Sequence, residues 1–435
     1  MNAAAVSALA AVAIAAALQI SSGMYDARAL ALASVGVAGA VIAAIWRRRA
    51  AAFPAAGNPI PAQAILGGGA AAGLACHLFV NPTFYGDMTR LTGFRWFAMV
   101  GLVVLSAYLC LHLRASLMRA RFLLLLACFA VMGVAILRAS PRPWIDVWVL
   151  QQDAARALLH GANPYSSTHS NIYGDLAQRW YAPELVGGGR LNAYPYPPLA
   201  FLAAVPGYAL FGDSRYAMLA LLIVAAWLIG RAWRSSTGEL AAALILFQPR
   251  TFFVLEQSWT EPVVLAAFAL VVFALARNCK WWAAAGLGLL IASKQYSPYL
   301  AVPLLFAMPI GPGPLGLAAA VAAIILLPFA LWDWTGFARG VVQMQLWQPF
   351  RPDALSLSSL AGRPGPLGWA GPVAGAAALA AFVRRGLDLG QACAAAAAAL
   401  SLVVLSYKQS FCNYWWLCAA LLCAAAAAPV GEKAA

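Results

Sequence analysis

The chain has 435 residues, 63% of them hydrophobic and 10% charged, with 28 Lys and Arg against 14 Asp and Glu for a formal charge of +14. That much apolar surface exceeds what one soluble core can hide, which excludes an ordinary water-soluble domain. The basic residues stand in short clusters between apolar runs, a pattern of membrane orientation signals that excludes a nucleic-acid-binding stripe.

Apolar runs near 3–20, 29–46, 63–80, 96–112 and 121–138 approach the roughly 20 residues that cross a bilayer. The first lacks the basic flank of a secretory leader and reads as a span. Arg47, Arg48 and Arg49 follow the second run, and Arg114, Arg119 and Arg121 follow the fourth, with no acidic residue in either connection. Both connections are therefore expected in the cytoplasm, and alternation places the polar segment 138–196 on the outer face. Further runs near 197–211, 216–232, 239–258, 262–277, 281–308, 315–332, 365–382, 388–406 and 412–428 bring the expected total to about 14 spans, with both termini inside. Taking 281–308 as one interrupted span leaves "RAWR" at 231–234 and "RNCK" at 277–280 outside, against the positive-inside bias. A second outer loop, 333–364, contains "DWTGFARGVVQMQLWQPFRPD" and offers indole rings either to the headgroup region or to the face of a sugar.

No internal repeat stands out, which counts against the inverted-repeat plan of many secondary transporters. The Ala-rich runs after Cys393 and Cys423 suit close helix packing, and the Gly triplets at 67–69 and 187–189 lack the Lys-Ser/Thr of a phosphate-cradling loop. The eight cysteines show no CxxC pair and no zinc spacing, and are expected as small buried residues.

Between Trp144 and Tyr165 the apolar pattern gives way to "WIDVWVLQQDAARALLHGANPY". Ile145, Trp148, Val149, Ala155, Leu158 and Leu159 recur at helical spacing, while Asp146, Asp153 and His160 follow at intervals of seven and share one face. Gly161 suits a helix end and Pro164 forbids continuation. The segment reads as an amphipathic helix along the outer surface, and a solvated face is the plain explanation of its aspartates. Asp146 is nevertheless the candidate catalytic group, because it stands about eight residues beyond a span, where a lipid-linked substrate presents its headgroup. In "YPYPPL", Pro195, Pro197 and Pro198 hold the chain extended as it re-enters the membrane, and Tyr194 is a candidate substrate contact.

The order Asp146, "ALLHGANPY", a Tyr-rich stretch and "YPYPPLAFL" leading into a span resembles the GT-C membrane glycosyltransferases, in particular the polyprenyl-phosphate-mannose-dependent branch of bacterial mannosyltransferases. "LEQSWTEP" (255–262), "ASKQYSP" (292–298) and "YKQSFCNYWW" (407–416) resemble that branch's further polar interruptions, so the resemblance covers roughly residues 138–428. Those enzymes usually place the loop after their first span, whereas four extra apolar runs here precede the run that leads into it. The expected organisation is therefore additional N-terminal helices over 1–120, a catalytic module over 121–428 and a short tail over 429–435.

The resemblance implies an all-α polytopic integral membrane protein, a GT-C-like bundle of about 14 transmembrane helices with an amphipathic juxtamembrane helix in a long outer loop. It implies inverting transfer of a hexose, mannose favoured, from a polyprenyl-phosphate donor to a lipid or polysaccharide acceptor hydroxyl at the outer face of a bacterial inner membrane. Asp146 matches the family's loop aspartate as general base, since a hydroxyl is a poor nucleophile until a carboxylate accepts its proton. The phosphate leaving group needs cations to hold its charge. Lys294 is the main candidate, because a lysine in an apolar run costs about 2.5 to 3.5 kcal/mol and faces a cavity or a partner. An ion pair with Glu256 or Glu261 is the structural alternative. Lys408, with snorkelling as its alternative, and Arg142 follow. Glu256 and Gln257 are candidates for binding sugar hydroxyls or for ending two helices at the interface, and Asn413 joins the substrate contacts. No cofactor is assigned, because a divalent ion shared by Asp146 and Asp153 would have a thin ligand set. The competing function is a transporter or flippase of a polyisoprenoid-linked lipid, which needs a polar path through the midplane rather than polar groups gathered at one face.

Overall fold

The computed structural model describes residues 2–50, 60–110, 115–308, 311–363, 365, 367–384 and 386–429. The connection holding Arg114 and the tail beyond 429 lie outside the described residues. Among the described residues, eight helices are long and apolar enough to cross a membrane, and seven shorter apolar helices accompany them. The protein is an all-α membrane protein.

The first five helices are α1 (Ala3–Ser21), α2 (Ala27–Ala50), α3 (Ile60–Phe79), α4 (Thr92–Cys110) and α5 (Ala115–Ala139). Next come α6 (Asp146–Leu159), α7 (Leu199–Phe211), α8 (Arg215–Ala232), α9 (Ser236–Phe247), α10 (Thr251–Glu256), α11 (Glu261–Ala276), α12 (Lys280–Ile291), α13 (Pro298–Ala307) and α14 (Pro312–Trp332). Three short helices, α15 (Trp334–Ala338), α16 (Met344–Trp347) and α17 (Leu357–Leu360), lead to α18 (Leu367–Phe382), α19 (Leu389–Ser406) and α20 (Cys412–Ala427). α1 packs on α2 and α20, α2 on α19, and α3 on α9, so the N-terminal helices share one apolar core with the later ones. Small residues permit the approach: a Cβ on Gly39 would press on Ala10, and one on Gly36 on Ile14.

The bundle has two distinct ends. At one end, Arg121 and Arg231 both pair with Glu239, at 3.4 and 3.1 Å. Arg277 donates to the Arg231 carbonyl, Gln63 to Thr237, and Arg48 to the Ala381 carbonyl. Buried Arg47 satisfies the last carbonyls of α20 at Ala425 and Ala428, the helix end that favours a cation. At the other end, the α1–α2 and α3–α4 turns, the start of α6 and the breaks between α10 and α11, between α12 and α13, and between α19 and α20 converge on one cavity.

Two sequence expectations about spans are corrected. Residues 197–211 do not form a span that leaves the cavity end: α7 lies along α6, with Arg156 reaching Tyr208 at 3.0 Å and Gln152 holding the Gly212 carbonyl and the Ser214 N–H. α8 then starts beside Glu256 at the cavity end, through Arg215. Residues 281–308 are not one interrupted span but two helices. Gly313 of α14 lies against Trp281 at the start of α12 and Gly288 against Ala318, so α12 and α14 run alongside each other, while α13 returns packed on α19. The run 239–258 is also broken, at Pro249, where Thr251 Oγ1 takes up the Ile245 carbonyl.

The sole sheet among the described residues is small. β1 (His169–Ser170), β2 (Val186–Gly187) and β3 (Arg190–Leu191) are antiparallel in the order β1-β3-β2, with His169 opposite Leu191 and Gly187 opposite Arg190. Gly188 and Gly189, at φ +57° and +73°, make the two-residue turn, which explains the triplet at 187–189. The cysteine expectation holds for Cys128, Cys393, Cys412, Cys418 and Cys423, whereas Cys279 is exposed, because it caps the start of α12 rather than lying inside a helix.

Candidate functional site

The cavity has a volume of about 370 Å³ and draws on the polar interruptions at 255–262, 292–298 and 407–416 as well as on both long polar loops. Asp146 enters it from the first turn of α6, where the freed N–H groups and helix dipole favour a carboxylate. Its Oδ1 accepts the Val147 N–H at 2.8 Å, and its Oδ2 accepts a short hydrogen bond from the Tyr181 hydroxyl. Burial pushes the Asp146 carboxyl above the usual carboxylate range, and the Tyr181 hydrogen bond opposes that rise.

Lys294 stands at the interruption between α12 and α13, where Ser293 and Ser297 hydroxyls take up the carbonyls of Leu290 and Ile291 that the break sets free. Its Nζ donates to Glu261 Oε1 at 3.0 Å and to Thr260 Oγ1, and it lies 4.4 Å from the centre of the Tyr196 ring. Of the two pairings open to the sequence, the structure has the one with Glu261. Lys294 nevertheless lines the cavity and Glu261 does not.

Arg351 is the residue that the sequence reading missed. It forms a two-pronged pair with Asp353, at 2.8 and 2.6 Å, and its guanidinium lies 3.7 Å from the Trp180 ring centre and 4.7 Å from that of Phe411. Here again the cation lines the cavity and its anion does not. The cavity therefore shows one carboxylate, Asp146, and two cations whose counter-charges sit behind them. A single arginine in "QPFRPD" gives no periodic signal; the spacing of Arg351 to Asp353, flanked by Pro349 and Pro352 in an aromatic loop, was the available hint.

Of the remaining candidates, Gln257 and Asn413 line the cavity. Glu256 does not, and it is no sugar ligand: its carboxylate accepts the backbone N–H groups of Phe84 and Tyr85, at 2.6 and 2.9 Å. Tyr194 is fully buried, donates to Gln151 Oε1 at 3.1 Å, and packs on Tyr165 and Phe201, so its role is structural; its neighbour Tyr196 reaches the cavity instead. Lys408 does not snorkel or face the cavity; its Nζ clamps the carbonyls of Leu346 and Gln348, and its own carbonyl holds the Arg351 N–H at 3.2 Å. Arg142 is exposed at the bend before α6, outside the lining.

The expected carboxylate stripe along α6 is present as a face but not as a site. Seven residues of helix place Asp153 roughly 10 Å from Asp146, and Asp153 instead accepts the Ser170 N–H and pairs with Arg156, while His160 is exposed. The two aspartates share no ligand position. The helix also buries Gln151 and Gln152 where an apolar side was expected, because these amides satisfy Tyr194 and the α7–α8 turn. In the second loop, Gly336 and Gly340 leave no room for a Cβ against the backbones of Tyr165 and Tyr194, which brings Met344, Gln345, Gln348 and Arg351 into the cavity. The indoles of Trp332, Trp334 and Trp347 are exposed and lie outside it.

Comparison of the chain with models of protein families, with curated proteins and with solved structures found no match.

Proposed function

We propose that the protein is an inverting glycosyltransferase of the GT-C kind that moves a hexose, mannose favoured, from a polyprenyl-phosphate donor to an acceptor hydroxyl. The observation that carries this reading is the pairing in one cavity of a basic carboxylate, Asp146, with the cavity-facing cations of Lys294 and Arg351. Asp146 takes the acceptor hydroxyl proton as that oxygen bonds to the anomeric carbon. The bond from that carbon to the phosphate oxygen breaks, its electron pair stays on the phosphate, and Lys294 and Arg351 hold the added charge. Attack from the Asp146 side with departure toward the cations inverts the anomeric centre.

The corrected course of the helices supports the membrane placement. With α7 kept at the cavity end and α12 and α13 traversing separately, the bundle has about 14 traversals. Arg47, Arg48, Arg121, Arg231 and Arg277 then gather at the end away from the cavity. That removes the conflict at 231–234 and 277–280, and the positive-inside bias puts the cavity on the outer face. Gathering of polar groups at this face favours an enzyme over a carrier or flippase. The test is to reconstitute the protein in vesicles with polyprenyl-phosphate hexose labelled in the sugar, and to add envelope lipid and glycan extract. Label appearing in an acceptor with inverted anomeric configuration is expected. Movement of intact donor across the bilayer without cleavage would establish the flippase instead.

A further inference from the structure

One wall of the cavity belongs to neither the base nor the cations. Tyr85, Phe84, Phe253 and Trp259 form an aromatic shelf of rings set edge-on or tilted to one another, with successive ring centres 5.1, 6.2 and 5.3 Å apart; all four line the cavity, Phe253 as its buried backing. Gln257 stands in the same wall but is 2% exposed, its Nε2 donating to Glu256 Oε2 at 3.2 Å. Half of this shelf comes from the turn between α3 and α4, within the additional N-terminal helices.

The turn is held in place deliberately firmly. Glu256 accepts the N–H groups of both Phe84 and Tyr85, and Arg250 donates to the Asn81 carbonyl at 3.3 Å. These attachments use the turn's backbone, which leaves the two side chains free of any anchoring duty. Phe84 is 60% exposed and lines the cavity.

We propose that this shelf binds the acceptor and that the acceptor is a saccharide. Solvent-accessible aromatic faces, those of Phe84, Tyr85 and Trp259, receive the C–H faces of pyranose rings. A simple lipid alcohol would make no use of the rings. The four N-terminal helices thus complete the substrate site and set its specificity. The inference deepens the transferase reading and rests on it for the word acceptor, while saccharide binding itself can be measured alone.

The experiment is saturation-transfer NMR on the full chain in nanodiscs, with methyl α-mannoside, methyl β-glucoside and methyl β-galactoside as probes. At least one glycoside is expected to bind saturably, with affinity weakened roughly three- to tenfold in Phe84→Ala and Tyr85→Ala. Trp347→Ala, which removes an exposed indole outside the cavity, should bind it as the wild type does. Because the turn is anchored through its backbone, the Phe84 and Tyr85 truncations leave it in place. Absence of saturable binding by all three glycosides, or binding unchanged in both shelf variants, would overturn the proposal. Shelf-dependent binding without hexose transfer from polyprenyl phosphate would sink the transferase reading and leave a saccharide site; transfer insensitive to the shelf variants would do the reverse.

Discussion

The buried pair of Lys294 and Glu261 separates a structural role from a functional one. The two side chains are 4% and 0% exposed, and Tyr296 also donates to Glu261 at 3.0 Å. Glu261→Gln leaves the ammonium without its counter-charge, and breaking a buried pair in this way costs about 3–5 kcal/mol. Replacing both partners by apolar groups, Lys294→Met with Glu261→Leu, removes the desolvation penalty along with the attraction, which is neutral or stabilising by about 1–4 kcal/mol. Against that stand the lost hydrogen bonds of Thr260 and Tyr296, at about 1 kcal/mol each. The double variant should therefore unfold within about 2 kcal/mol of the wild type, and well above Glu261→Gln, when denaturation in one detergent is followed by tryptophan fluorescence. It should nevertheless lose most of its affinity for polyprenyl phosphate in nanodiscs. A stable double variant that binds polyprenyl phosphate as tightly as the wild type would refute the assignment of Lys294 to the phosphate.

Asp146→Asn should be at least as stable as the wild type at neutral pH. Burial raises the folded-state pKa, so the proton binds the folded protein more tightly, and this contribution to stability is present below the ordinary value near 4 and lost as pH rises through the raised one; pH-dependent unfolding of the two proteins checks the sign. Tyr181→Phe removes a hydrogen bond that favours the carboxylate, so the acidic limb of the pH-rate profile should move to higher pH. Glu256→Gln deprives one of the Phe84 and Tyr85 N–H groups of an acceptor, a loss of about 1–3 kcal/mol that should appear as faster limited proteolysis within 81–87. Lys408→Met should weaken donor binding without touching donor, because it frees the Leu346–Gln348 carbonyls that position the Arg351 segment; the Kd for polyprenyl phosphate measures it.

The features legible in the sequence were those with a local physical cause. Asp146 stood out because it begins a polar helical segment between apolar runs, and Lys294 because an amine in an apolar run requires a partner or a cavity. What could not be read depended on contacts between distant segments. Arg351 acquires its place by being pinned between Trp180 and Phe411, and Tyr194 and Tyr196 exchange roles because Tyr194 is packed on Tyr165 and Phe201 while Tyr196 meets the cavity. Glu256 looks like a sugar ligand until the turn it caps, more than 170 residues earlier, is brought beside it. The span misread at 197–211 is apolar nearly throughout, and the polar break at 293–297 inside 281–308 fits either one interrupted span or two, so composition alone could not say whether the chain crosses once, twice or lies along α6.

The most direct measurement is a single-turnover rate of hexose transfer from polyprenyl phosphate, taken for the wild type and Asp146→Asn in the same nanodiscs at saturating donor. The account predicts that donor still binds and that the rate falls by about 10²- to 10⁴-fold, the contribution of a positioned base. Transfer by Asp146→Asn at a rate close to that of the wild type would contradict it.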